Sequence, residues 1–264
     1  MHDTRTTSQE PIVRLVGLHK RFGDLVVLDG ADLDLQPGKT TVIIGESGCG
    51  KSVLLKHIVR LLRPDSGEVY FREERIDNLR ERELVHLRPR FGFLFQLSAL
   101  FDSMSVGDNV AFPIREHTRK KRHEIAEIVR SKLSMVGLDG IQKKWPAELS
   151  GGQKKRVALA RAIALDPEVI LYDEPTTGLD PPRADVINEL ILKLQRELHV
   201  TGVVVTHDMV SARRVADRIV MLHGGKFIFD GTADSILKTD DARVKCFVEG
   251  RCSQDEIASL GQAR

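Results

Sequence analysis

The sequence is short of cysteine, of net charge and of long apolar runs, and each shortage removes a class of protein. Its three cysteines are Cys49, Cys246 and Cys252. The count is odd and no two form a CxxC pair, so neither a disulfide framework nor a zinc site is expected. Lys and Arg number 40 against 38 Asp and Glu, a net charge of +2. A nucleic-acid binder needs clustered, uncompensated positive charge for its phosphate contacts, so no nucleic-acid partner is expected. No stretch of about 18 apolar residues occurs, so the chain is not expected to span a membrane by itself. Residues 1–10 are polar, carry both charge signs and lack the apolar core of a secretory signal, which points to a cytoplasmic location. Internal repeats and low-complexity linkers are absent too.

What is present is a chain of 264 residues, 41% hydrophobic and 30% charged, which is ordinary for a globular protein with a sizeable core. Residues 1–11 read as a disordered tail. Ile12 to Val16 reads as a strand, Lys20 to Asp24 as a turn, and Val26–Leu28 and Ala31–Leu35 as two further strands. Gln36-Pro37-Gly38-Lys39 turns the chain into Thr40–Ile44, a β-branched run suited to a buried strand. Val53 to Leu62 has helical spacing and stops before Arg63-Pro64-Asp65. Glu68–Phe71 reads as a strand, residues 78–88 as a charged helix, and Arg90–Gln96 as a strand that runs into a loop. Residues 105–165 turn helical and densely charged. The β pattern returns at Val169–Tyr172, Gly202–Thr206, Arg218–Leu222 and Phe227–Asp230, with helices at 183–198 and 209–216. Strands alternating with helices imply a mostly parallel sheet covered on both faces.

Gly45-Glu46-Ser47-Gly48-Cys49-Gly50-Lys51-Ser52 fits the pattern GxxxxGK[ST] in full, between a strand and a helix. Glycines let backbone N–H groups approach phosphate oxygens without a Cβ in the way. The helix N-terminus adds positive potential. Lys51 then reaches the β- and γ-phosphates, and the Ser52 hydroxyl ligates Mg2+. Cys49 stands near that helix N-terminus, a position that can lower a thiol's pKa, but a small filler residue is the preferred reading there.

Val169 to Glu174 is an apolar strand ending in two carboxylates. Asp173 at such a position can hold Mg2+, and Glu174 can polarise the water that attacks a γ-phosphate. Between the two motifs lies Leu149-Ser150-Gly151-Gly152-Gln153, ahead of a helical run. Free N–H groups and a hydroxyl can bind phosphate there, or Ser150 can simply cap the helix.

Leu149 to Gln153 matches the LSGGQ motif, and roughly residues 12–232 resemble the ABC ATPases, with every motif in the family's order. The resemblance implies an α/β fold of the P-loop NTPase type, with a RecA-like core, an antiparallel β region near the N-terminus and a helical subdomain at about residues 97–162. Residues 233–264 would form a helical C-terminal extension, packed on its own core or on a second ATPase subunit. The resemblance further implies an adenine-stacking role for Phe22, and a Q-loop role for Gln96, which meets Mg2+ or water and senses the γ-phosphate. Asp173 and Glu174 take the Walker B positions, Asp180 of Gly178-Leu179-Asp180 the D-loop position, and His207 that of the switch histidine. ATP and Mg2+ would be sandwiched between Lys51 of one copy and Ser150, Gly151, Gly152 and Gln153 of a second copy.

The stretch from Leu94 to Thr118, with Phe95-Gln96, Ala99-Leu100-Phe101 and Asn109-Val110-Ala111-Phe112-Pro113, is similar to the ATPases of the Mla/Mce lipid transporters. That likeness implies phospholipid transport between bacterial membranes. The chain would lie on the cytoplasmic face of the inner membrane, against a permease and an Mce-domain protein. Leu97, Leu100, Phe101 and Met104 fit either a groove for a permease helix or the subdomain's own core. The core motifs alone also fit a small-solute importer. A repair or ribosomal ABC ATPase fits less well, since the chain has neither a coiled-coil or zinc insertion nor two ATPase halves. Intact Glu174 and His207 argue against a non-hydrolysing regulatory subunit.

Overall fold

The computed structural model describes residues 10–251. Most of the expected N-terminal tail, Cys252 and the end of the C-terminal extension lie outside the described residues. The elements run β1 (Val13–Phe22), β2 (Leu25–Leu35), β3 (Thr40–Ile44), α1 (Lys51–Ile58), β4 (Ser66–Phe71), β5 (Glu74–Arg75), α2 (Glu81–Leu84) and β6 (Phe91–Leu94). Three helices follow, α3 (Val106–His117), α4 (Arg122–Met135) and α5 (Gly151–Ala162). Then come β7 (Val169–Asp173), α6 (Pro181–Leu198), β8 (Thr201–Thr206), α7 (Met209–Val215), β9 (Arg218–His223), β10 (Lys226–Gly231) and α8 (Ala242–Glu249).

Two sheets result. One is antiparallel, in the order β2-β1-β4-β5. The other is ordered β10-β9-β3-β8-β7-β6, parallel except for β10 at its edge. The parallel strands are buried on both faces, which is why they read as continuous apolar runs. Successive residues point to opposite faces. Val42, Ile44, Ile170, Tyr172 and Val204 join the core beneath α3–α7, whereas Ile43, Leu171, Val203 and Val205 join the core shared with α1 and the antiparallel sheet.

Four local readings need correction. Lys20 to Phe22 belongs to β1, so the turn is confined to Gly23-Asp24. Val26–Leu28 and Ala31–Leu35 are one strand, β2, bent where Gly30 takes φ +76° and its pairing with β1 slips around Leu18 and His19. The α1 helix ends at Ile58, before Leu62. Arg60 there adopts φ 58° and its guanidinium donates to the Ile76, Asp77 and Leu79 carbonyls. The expected helix over 78–88 shrinks to Glu81–Leu84, one turn on the surface. At the C-terminal side, Asp241 caps α8, and Val244 and Ile236 enter the chain's own core. The Arg243 guanidinium beside it holds the Asp241 carboxyl down at about 2.

The α5 helix meets the sheet at Gly92 on β6. A Cβ there would lie 2.6 Å from the Ala162 carbonyl oxygen, a backbone atom that no rotamer change can move. Gly92→Ala is therefore expected to destabilise the fold by about 1–3 kcal/mol through overpacking. The urea midpoint reads this directly, and an unshifted midpoint contradicts the packing argument.

Candidate functional site

The site forms at the C-terminal ends of β3, β8 and β7, three neighbouring strands. Ile44 pairs with Thr206, and Asp173 with Val205, so the three strands end nearly level. In an open parallel sheet that edge is where ligands bind.

The loop of residues 45–52 leaves β3 through Gly45. At φ +153°, a Cβ at Gly45 would sit 2.4 Å from the Leu222 carbonyl oxygen. Gly50 closes the loop at φ +105°, pressed against Val27 of β2. No side chain caps α1, so its first-turn N–H groups are left for an external acceptor. Glu46, Ser47 and Gly48 are exposed, whereas Lys51 is buried. Lys51 Nζ donates to the Gly45 and Glu46 carbonyls at 2.7 and 2.8 Å, which holds the ammonium across the loop. At Cys49 the helix N-terminus does not lower the thiol's pKa. Burial pushes its thiol up, and this outweighs the nearby Lys51 charge and the backbone N–H bonds.

Ser52 Oγ donates to Asp173 Oδ1 at 2.7 Å. Burial, joined by the Glu174 charge, raises the Asp173 pKa despite that bond. A buried carboxylate beside a hydroxyl is a hard-oxygen pair that a cation would relieve, and it suits Mg2+ held by one carboxylate plus phosphate oxygens and water. Among the described residues no group of three or more His, Cys, Asp and Glu side chains stands ready to bind a metal. A cation held by Ser52 and Asp173 would need further ligands from elsewhere.

Glu174 follows β7 in the left-handed region at φ 49°, anchored by its N–H to the Val205 carbonyl at 3.0 Å. Its carboxylate accepts from Thr177 Oγ1 at 3.1 Å and from Thr206 Oγ1 at 3.4 Å. His207 Nδ1 lies 3.0 Å from both carboxylate oxygens. A carboxylate only accepts, so Nδ1 carries a hydrogen, and Nε2 has no hydrogen-bond partner among the described residues. The Thr206 hydroxyl also accepts from the Asp208 N–H at 3.0 Å. Sequence reasoning missed Thr177 and Thr206, although Thr206 stands next to His207 and offers a donor.

Gln96 is exposed, two residues beyond β6, and its carbonyl accepts from Lys155 Nζ at 3.2 Å. The same ammonium donates to the Glu174 carbonyl at 3.3 Å. Lys155 was invisible as a site residue in the sequence, because a lysine inside an amphipathic helix carries no signature.

Ser150 caps α5. Its hydroxyl accepts from the Gln153 N–H at 3.3 Å, and Gln153 Oε1 accepts from the Ser150 N–H at 3.0 Å, a reciprocal capping box. Ser150 and Gly151 are exposed. A Cβ on Gly151 would meet Leu179, and one on Gly152 would meet Arg183, so this helix start adjoins the segment that leads into α6. Asp180 caps α6 and accepts from the Arg183 N–H at 3.2 Å. Phe22, 48% exposed at the end of β1, presents an aromatic face with Lys20 Nζ 5.3 Å from its centre. Lys51, Ser52, Asp173, Glu174 and His207 are thus joined at one sheet edge, with Gln96 tied in through Lys155. Ser150 to Gln153 and Asp180 sit together as a second group.

Between β6 and α3 opens an apolar cavity of about 430 Å³, lined in part by Phe93, Phe95, Phe101, Phe112 and Arg161. Phe101 faces Phe112 at 4.9 Å. Leu97 is 89% exposed, whereas Leu100 packs against the core.

Comparison with known proteins agrees with this geometry. A family model described as ABC transporter matches residues 28–177. The MlaF ATP-binding protein of the intermembrane phospholipid transport system of Haemophilus influenzae is 45% identical over 90% of both chains. A probable ribonucleotide transport ATP-binding protein, mkl, of Mycobacterium leprae is 43% identical over 90% of this chain and 69% of its own length. Among solved structures, a dimeric post-hydrolysis state of the ATP-binding cassette MJ0796, bound to ADP and Pi, superposes with a TM-score of 0.78. It is 34% identical and covers 84% of this chain and 98% of that one. The cbiO1 subunit of Clostridium perfringens reaches a TM-score of 0.80 at 30% identity, covering 96% of this chain and all of the other. With an α/β fold of the same kind and the motifs in place, this chain belongs to the ABC transporter ATPases.

Proposed function

We propose that this chain powers a membrane permease that moves phospholipids, and that Glu174 activates the water that hydrolyses ATP. The observation that carries the reading is the Glu174 carboxylate held by His207, Thr177 and Thr206 at the same sheet edge as Lys51, Ser52 and Asp173. A carboxylate fixed in this way is suited to act as a general base, and His207 Nε2 is free to meet the γ-phosphate. Lys51 exchanges its two loop carbonyls for phosphate oxygens, and the loop N–H groups share that task. Phe22 stacks the adenine ring. Ser52, Asp173 and Gln96 would hold Mg2+, which would supply positive charge to offset that of the nucleotide phosphates. A second copy supplies Ser150 and Gly152 from its own α5 start, with Asp180 at the crossing between copies. The dimeric cassette among the solved structures supports that arrangement. Residues of about 97–162 act as the arm that carries the motion, within an ATPase domain of 12–232, and 233–264 form an extension.

The cargo assignment rests on the match to MlaF along nine-tenths of each chain, and on the Leu94–Thr118 stretch. The mkl proteins are covered over only about two-thirds of their length, so their cargo transfers less well. No helix among the described residues is long and apolar enough to cross a membrane, so association with the inner membrane runs through the permease, accompanied by an Mce-domain protein. The aromatic cavity beside Phe101 is the seat for a permease helix.

Glu174→Gln is expected to keep ATP binding and to lower the steady-state hydrolysis rate by about 100-fold or more, the loss of a general base. Wild-type turnover by that variant overturns the assignment. Lys51→Ala is expected to weaken ATP binding by about 2 kcal/mol, roughly 30-fold, as one charge-assisted contact disappears. An unchanged dissociation constant in a fluorescence titration counts against the loop as phosphate binder. A tagged pulldown from native membranes in mild detergent is expected to bring down a permease, an Mce-domain protein and phospholipid, identified by mass spectrometry. A soluble solute-binding protein in their place moves the cargo to small molecules.

A further inference from the structure

Lys155 lies on α5, five residues after Ser150, and is 6% exposed. Its ammonium makes no salt bridge among the described residues. Its two contacts are the main-chain carbonyls of Gln96, 3.2 Å away, and of Glu174, 3.3 Å away. Burying an ammonium without a carboxylate partner is costly, and a neutral side chain of similar length would fill the same space without that cost. The charge therefore has a use where it stands.

Both carbonyls lie just past the last residues of their strands. Gln96 is two residues beyond β6, and Glu174 is one residue beyond β7 in a left-handed conformation that a non-glycine residue rarely adopts. Six residues further along α5, Arg161 donates to the Ser98 and Ala99 carbonyls at 2.8 and 2.7 Å. Ser98 and Ala99 also have positive φ. One helix thus grips the segment after β6 at both ends. The Arg161 end borders the aromatic cavity, and the Lys155 end borders the catalytic carboxylate.

We propose that Lys155 is a positioning residue for ATP hydrolysis. Its ammonium ties the main chain at Gln96 and at Glu174 to the helix that starts at Ser150-Gly151-Gly152-Gln153, so the three motifs move as one body. The inference rests on the reading of Glu174 as the water-activating base. Any shift of α5, whether from nucleotide met by its N-terminus or from a partner seated beside Arg161, is passed to the Glu174 backbone through Lys155.

The test compares Lys155→Met, Lys155→Arg and Glu174→Gln in the full chain, with kcat, the dissociation constant of a fluorescent ATP analogue and the melting temperature measured for each. Lys155→Met keeps length and loses the donors. It is expected to lower kcat between about 10-fold and about 100-fold, the cost of a misplaced catalytic group, with nucleotide affinity within about twofold of wild type. Lys155→Arg restores the donors and is expected to recover at least about a third of the wild-type kcat. A merely structural lysine predicts a different pattern, with kcat, affinity and melting temperature falling together and no rescue by arginine. That pattern, or wild-type kcat in Lys155→Met, overturns the proposal. If Lys155→Met does not fold, Lys155→Gln is judged by the same criteria, and failure of both to fold also assigns the residue to structure. Loss of turnover in Glu174→Gln alone removes only the role of Lys155. Normal turnover in Glu174→Gln removes the site assignment and this inference with it.

Discussion

The structure depends on the register of three parallel strands. β8 lies between β3 and β7, with Ile44 opposite Thr206 and Asp173 opposite Val205. A slip of one residue would turn every apolar side chain to the opposite face. It would also separate Ser52 from Asp173 and His207 from Glu174, whose contacts of 2.7 and 3.0 Å bind different strand ends together. The two cores enforce the register, because each strand feeds both faces of the sheet alternately. The chemistry is therefore held in place by packing, and the site itself can afford groups that destabilise it, such as a carboxylate with a raised pKa and a non-glycine residue in the left-handed region.

Much of this was legible in the residues. β3, β7 and β8 announced themselves as unbroken apolar runs because burial on both faces leaves no polar alternation. The loop at 45–52 and the pair Asp173-Glu174 were legible as the segments at the strand ends because their residue types stand at a fixed motif spacing. What escaped the sequence was set by tertiary contact. Gly30 looked like a break between strands, yet it is the point where β2 bends within a twisted antiparallel sheet. The end of α1 is decided by Arg60 reaching three carbonyls near β5, residues far along the chain. Cys49 shows two principles in competition. A helix N-terminus and Lys51 favour the thiolate, but burial favours the thiol and wins. Lys155, Thr177 and Thr206 act through hydrogen bonds whose partners no local pattern names.

Two kinds of contact divide the labour around the site. Side chains at strand ends bond to one another, and side chains on α5 face the backbone. Lys155, Arg161 and also Arg156, which donates to the Gly137 carbonyl at 3.0 Å, all spend their donors on main-chain oxygens. Such bonds tolerate substitution of the residues they hold, because a carbonyl survives any mutation. Loop sequences beyond β6 can therefore vary to suit a partner while the backbone path stays fixed.

The capping box at Ser150 has a consequence for recognition. Its oxygen already accepts the Gln153 N–H, so one of its two lone pairs is turned inward while the O–H stays free to donate. The bond that begins α5 therefore fixes the rotamer of an exposed serine, and the side chain keeps a donor to offer without giving up its cap.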